Sequence, residues 1–267
     1  MPHVDVNGIS LHHEVHGRED GPWVLNIGGS GGDLRQTLPE RSPLNRELRV
    51  LSYDQRGLGR TDKPDHVHEM SHYSDDAAAL IREVVGGPCH VIGTSFGGMV
   101  ALNLALDHPD VVDRMAVVCT SPGGDHASYP LETLAGLDPD ERFGTRMGLM
   151  DDRWDPDADE PIPGLGAIYD VLVRQAADAE PDAETAAGAA RQLDARSRHD
   201  VVDRLGEIRR PTLVCAGRHD RTAPLANSEL IARAIPGARL EVFDGGHLLM
   251  FQDRRVFPTI VEFLTAP

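Results

Sequence analysis

The chain has 267 residues, 40% hydrophobic and 26% charged, a balance that suits a globular protein with one large α/β domain or two small ones. Forty-three acidic side chains against 26 Lys and Arg leave a formal charge of −17. That excess repels phosphate backbones and anionic headgroups, so neither nucleic acid nor a membrane surface is expected as a partner. No apolar run approaches the roughly 20 residues of a membrane-spanning helix, and Met1-Pro2-His3-Val4-Asp5 lacks the basic flank and apolar stretch of a signal peptide. Cys89, Cys119 and Cys215 are odd in number, far apart and each inside an apolar run. They read as buried free thiols in a reducing compartment, and a cytoplasmic protein is expected.

Val4 and Val6, Asn7-Gly8, and Ile9 to Val15 predict two alternating strands around a hairpin turn. Short, nearly continuous apolar runs follow at 23–27, 50–53, 90–92, 115–119 and 212–215, with a less apolar one at 240–243. Such runs suit parallel strands buried on both faces. Helical patterns lie between several of them, over 75–85, 97–107, 228–234 and 256–264. The alternation predicts a doubly wound, mostly parallel α/β sheet with an antiparallel amino-terminal hairpin. Residues 1–121 and 211–267 form its core. Residues 122–210 break the pattern: no strand is evident, the composition turns to Ala, Asp, Glu and Pro, and 176–194 is rich in helix formers. A helical insertion is expected there; the alternative, an acidic linker, would carry fewer apolar residues.

Chemistry concentrates first at His90-Val91-Ile92-Gly93-Thr94-Ser95-Phe96-Gly97-Gly98-Met99, which reads as strand, Gly-x-Ser-x-Gly turn and helix. A sharp turn of this kind lifts the Ser95 hydroxyl to the carboxyl edge of the sheet, beside a helix amino terminus that favours developing negative charge. A serine nucleophile needs a base, and the base an orienting carboxylate. His247 follows the last strand in Asp244-Gly245-Gly246-His247, and Asp220 follows the strand at 212–215 in Gly217-Arg218-His219-Asp220. Both therefore sit at strand carboxyl ends, where open α/β sheets bind ligands. Asp125 is the second candidate for the acid. Most of the other histidines sit on the hairpin (His12, His13, His16), in a polar loop (His66, His68, His72) or in the insertion (His126, His199).

With its Gly-x-Ser-x-Gly turn, the segment Asp54-Gln55-Arg56-Gly57 to Pro64, and the acid and histidine loops in the order Ser95, Asp220, His247, the sequence resembles the α/β-hydrolase family over nearly its whole length. The resemblance implies that the insertion is a helical cap, that 54–64 is architectural, and that Ser95, Asp220 and His247 act as nucleophile, acid and base. It also implies an oxyanion hole from the Phe96 amide and one amide of Gly28-Gly29-Ser30-Gly31-Gly32, with Ser30 and the adjoining Gly29 as the candidates. Gly28 stands where a histidine is frequent in the family, and four glycines leave the backbone of that loop open.

The combined expectation is a serine hydrolase of a small uncharged ester or lactone, working through an acyl-enzyme without a cofactor. Met99, Met147, Met150, Trp154 and Tyr169 are candidates for an apolar substrate pocket. Carbon–carbon bond hydrolysis, haloperoxidase-like and lyase chemistry use the same three residues, and a non-catalytic small-ligand receptor is a different class on the same scaffold. Gly29-Ser30-Gly31 lacks the third glycine of a dinucleotide motif, and no Lys-Ser or Lys-Thr pair marks a phosphate loop. No metal is expected: the histidine groups lack metal-ligand spacing and read as solvated, as do the acids from Asp151 to Glu160.

Overall fold

The computed structural model describes residues 2–178 and 182–266. Eight strands among them form one sheet: β1 (His3–Val6), β2 (Ile9–Gly17), β3 (Trp23–Ile27), β4 (Arg49–Tyr53), β5 (Cys89–Thr94), β6 (Val112–Val118), β7 (Thr212–Gly217) and β8 (Arg239–Phe243). Their order is β1-β2-β4-β3-β5-β6-β7-β8. β1 pairs antiparallel with β2, and β2 with β4; all other pairings are parallel. The hairpin turns at Asn7 and Gly8, both in the left-handed region that this pair tolerates.

The apolar strand runs predict burial on both faces, and β7 is buried throughout while β5 is exposed only at Thr94, its last residue, which is half-buried. Apart from the single-turn helices α1 (Leu34–Thr37) and α8 (Leu249–Gln252), α2 (Met70–Leu80), α3 (Phe96–Asp107) and α7 (Leu225–Ala234) lie on one face, packed around Tyr73, Leu102 and Ile231. On the other lies α9 (Val256–Thr265), which buries Val256, Ile260 and Leu264 against β-strand residues Ile92 and Leu213. The last turn of α2 widens into a π-helical segment over Ile81–Val85.

Between β6 and β7 the chain forms α4 (Pro139–Met150), α5 (Ala167–Asp178) and α6 (Ala183–Ser197). The stretch 176–194, rich in helix formers, takes in the end of α5 and most of α6, and α6 begins where the Asp182 carboxylate accepts the Thr185 N–H. Pro181, one of the prolines of this stretch, lies outside the described residues. Met147, Ile162 and Leu165 make a small buried cluster joined by Phe143, Trp154 and Tyr169.

Two sequence expectations fail. His12 and His68 are not solvated but buried at 3% and 0% exposure. His68 Nδ1 meets the Tyr73 hydroxyl on α2 at 3.0 Å, and a Cβ at Gly57 would stand 3.4 Å from the His68 ring. Asp151 is also buried, its carboxylate held by Arg153 at 2.9 and 2.7 Å and by Gln252 at 2.7 Å. The acids after it, Asp152 and Asp155 to Glu160, are exposed as expected. Among the described residues no helix is long and apolar enough to cross a membrane.

Candidate active site

Ser95 stands between β5 and α3 with φ 55° and ψ −116°, a strained conformation for a residue with a side chain. It is held there by its N–H donating to Val118 O at 2.8 Å and its carbonyl accepting from the Thr120 hydroxyl at 2.7 Å. The flanking glycines are sterically required. A Cβ at Gly97 would lie 2.1 Å from Ile27 O, and one at Gly93 2.3 Å from Gly97 O. That closeness lets α3 sit hard against the strand ends and point its first amides at the space above the sheet.

Three residues from three loops meet there. His247 Nε2 lies 3.0 Å from Ser95 Oγ, and His247 Nδ1 lies 2.7 Å from Asp220 Oδ2. The second Asp220 oxygen accepts the Ala223 N–H at 2.8 Å, so the carboxylate cannot swing away. Its side chain is fully covered and that of His247 is 12% exposed, so the relay is shielded but reachable from the serine side. Asp125, the other carboxylate considered, is exposed.

The loop of glycines lies against the nucleophile: a Cβ at Gly29 would be 3.6 Å from that of Ser95. Side chains fix it at two points. Gln55 Nε2 donates to Gly28 O at 3.0 Å, and Gln192 Oε1 accepts the Gly31 N–H at 2.8 Å. The Gly31 amide is therefore occupied, which leaves those of Gly29 and Ser30 between the two fixed points. Phe96 opens α3, where its N–H has no helical carbonyl behind it to meet. An oxyanion at Ser95 would face that amide.

The apolar pocket candidates divide. Met99, buried one turn along α3, lines a cavity of about 260 Å³ with Ser121, Tyr129 and Arg196. Met147, Trp154 and Tyr169 pack on one another within the insertion, and Trp154 lies over Gly144. Met150 ends α4, and its carbonyl accepts the His247 N–H at 2.6 Å. The insertion thus touches both the histidine loop and the oxyanion loop.

Cys119 lies beneath the relay, its Sγ donating to Gly246 O at 3.7 Å. Burial, with the Asp220 charge beside it, pushes its pKa well up and keeps the thiol protonated. Burial pushes Cys89 and Cys215 up to about 12. Among the described residues, two groups of side chains bring enough donors together for a metal: Cys119, Asp220 and His247, and Asp151, Asp152 and His219. Their donors are already engaged. His247 binds Asp220, the thiol is neutral, and Asp151 is taken up by Arg153 and Gln252.

Sequence reasoning misses Gln55, Thr120 and Gln192. Gln192 has one local signal: Gly188, in the middle of the alanine-rich α6, is a poor helix former that marks a close backbone approach. A Cβ there would fall 1.8 Å from Gly57 O.

A model of the alpha/beta hydrolase family matches residues 15–259. The chain belongs to that family. It is similar to RutD of Agrobacterium fabrum, named provisionally as a carbamate hydrolase, at 27% identity over 95% of this chain and 98% of the relative. RutD of Variovorax paradoxus, with the same provisional name, is 30% identical over 96% of each chain. Among solved structures, a hydrolase from Pseudomonas aeruginosa PA01 is 26% identical with a TM-score of 0.79, covering 99% of this chain and 98% of that one. The enol-lactonase of Burkholderia xenovorans LB400 shares the fold, with a TM-score of 0.80 at 24% identity over 99% of this chain and all of the other.

Proposed function

We propose that this protein is a serine hydrolase that cleaves a small uncharged carboxylic ester or lactone. The observation that carries the reading is the continuous relay from Ser95 Oγ through His247 to Asp220, at 3.0 and 2.7 Å. His247 takes the hydroxyl proton as Ser95 attacks the carbonyl carbon, and Asp220 holds the imidazole in the tautomer with Nδ1 protonated. The tetrahedral oxyanion is met by the Phe96 amide and by the amide of Gly29 or Ser30. His247 then gives its proton to the departing alkoxide, leaving an acyl-enzyme. Water deprotonated by His247 attacks that ester and frees Ser95. The insertion acts as a cap, and Met99 lines a cavity of about 260 Å³ with the insertion residues Tyr129 and Arg196.

A second reading, a carbamate as substrate, is favoured by the RutD relatives that match along nearly the whole chain. A carbamate carbonyl needs the same nucleophile and oxyanion donors, so residue identity supports both. The buried, protonated thiols support a reducing, cytoplasmic setting.

The test is intact-protein mass after incubation with a small fluorophosphonate, beside turnover of matched short p-nitrophenyl esters, lactones and carbamates, for wild type and Ser95→Ala. A single adduct on Ser95, with turnover about 10⁴-fold or more lower in the variant, is the expected result. The preferred substrate set then decides between ester and carbamate. No adduct and equal turnover by both proteins would remove the serine mechanism.

A further inference from the structure

Four glycines in five residues give the loop at 28–32 little conformational preference of its own, yet an oxyanion hole works only if its donors are already aimed. Two side-chain amides supply the missing constraint. Gln55 belongs to the core and holds Gly28 O. Gln192 belongs to α6, 161 residues away from the glycine it holds, and reaches across from the insertion to the Gly31 N–H.

Gln192 is fully buried, an unusual place for a glutamine unless its polar atoms are used. Its Oε1 is committed to Gly31, while Nε2 is buried without a partner. The Ser30 hydroxyl, on the adjoining loop residue, is likewise buried and unpaired. A glutamine kept only to fill space would be replaced at no loss by an apolar residue of the same length.

The helix that carries Gln192 is docked directly on the core. Gly188 touches the backbone at Gly57, Arg191 pairs with Asp65, and Arg198 donates to His68 O at 2.8 Å and to Glu69 at 3.1 Å. The position of α6 therefore sets the position of the Gln192 amide, and through it the Gly29 and Ser30 amides.

We infer that Gln192 is a positioning residue by which the insertion completes the oxyanion hole. This rests on the serine hydrolase reading above. A chain with α6 docked has the loop amide aimed at the oxyanion; one with α6 displaced keeps Ser95, His247 and Asp220 in place but loses that aim. Substrate recognition and transition-state stabilisation are thus joined in one helix.

The experiment compares wild type with Gln192→Met, which keeps length and volume but removes the acceptor, and with Gly188→Ala, which leaves Gln192 intact and pushes α6 off Gly57. Each is assayed on the best p-nitrophenyl ester and for inhibition by a short alkyl trifluoromethyl ketone, whose carbonyl adds the Ser95 hydroxyl to form a tetrahedral oxyanion. Misaiming one oxyanion donor should lower kcat about 10- to 100-fold. KM should change little, inhibitor affinity should weaken in step with kcat, and melting temperature should hold for Gln192→Met. A kcat and inhibitor affinity at the wild-type level in both variants would overturn the inference, as would a loss confined to KM or a fall in kcat with inhibitor affinity kept. If Gln192→Met does not fold, Gly188→Ala carries the same comparison. Absence of Ser95-dependent turnover in the wild type would overturn the parent reading, and this one with it.

Discussion

The sheet and the helical insertion are held together by different means. β5 and β7 bury apolar side chains such as Val91, Ile92 and Val214 on both faces, and the loops that carry Ser95 and Asp220 extend directly from them. Against this, α4 buries only Met147, and α6 buries Gly188, Gln192, Ala195 and Arg196. The insertion is fastened to the core by directional contacts: Met150 O to the His247 N–H, Gln192 to Gly31, and Arg198 to His68 O at 2.8 Å. Apolar burial is additive and insensitive to small shifts, whereas single hydrogen bonds depend on geometry. On the proposed hydrolase reading, the difference separates what must stay fixed for chemistry from what can open for substrate.

The sharpest way to break this contrast is to damage the relay without touching packing. Asp220→Asn keeps the shape of the side chain but removes the charge that orients His247, and kcat should fall about 10⁴-fold with little change in melting temperature. A loss below tenfold would mean that Asp220 is structural. Asp76→Asn tests the core in the opposite sense. Arg56 and Asp76 form a fully buried pair with two bonds of 2.7 Å, at 3% and 1% exposure. Leaving Arg56 uncompensated should cost about 3–5 kcal/mol in urea unfolding, as one cooperative transition. A change under about 1 kcal/mol would show that neighbouring groups already carry the charge.

The junction between the two regions responds to acid. His199 follows α6, where the chain turns back towards β7, and a Cβ at Gly123 would stand 1.8 Å from its carbonyl. Burial lowers its pKa to about 4 from the usual 6.5. The folded protein therefore resists a proton that the unfolded chain takes up readily below pH 6.5, so stability falls as pH drops from 6.5 towards 4. His199 alone should contribute up to about 3 kcal/mol to that loss. Urea midpoints at pH 7 and pH 4.5 measure it. His199→Gln should flatten the slope, and an unchanged slope would assign the effect to the other histidines that burial lowers: His68, to about 4, and His13, His72 and His90.

Most of the fold is legible in the sequence because it is written in local patterns. The apolar runs at 23–27 and 212–215 are strands, and the Gly-x-Ser-x-Gly turn falls at a strand end because Gly93 and Gly97 admit no side chain there. Ser95, Asp220 and His247 are found for the same reason: each follows a recognisable strand, and topology brings strand ends together. Gln192 and Gln55 are not found, since nothing local says that an amide 161 residues away from Gly31 will meet it. The burial of His68 is hidden likewise. It depends on Tyr73 and the distant loop at Gly57 closing on the ring, and a histidine in a polar stretch carries no mark of that.

The smallest effect tests whether the insertion is a separate cooperative unit. Met147, at 2% exposure, is the centre of the cluster with Ile162 and Leu165, and Met147→Ala should cost about 2 kcal/mol. Where that cost appears is the informative part. If the insertion opens on its own, amide exchange should speed up in α4 by about 30-fold at unchanged exchange in β5 and β7, since 1.4 kcal/mol is a factor of ten. The urea midpoint of the core would then stay put, while KM rises as the cap spends more time open. If the global midpoint falls by the full amount and α4 exchanges no faster than the strands, the two regions unfold as one. The hydrogen bonds from Met150 and Gln192 would then be strong enough to couple the insertion to the sheet, and substrate entry would have to occur through small side-chain movements around Met99 instead of through displacement of the helices.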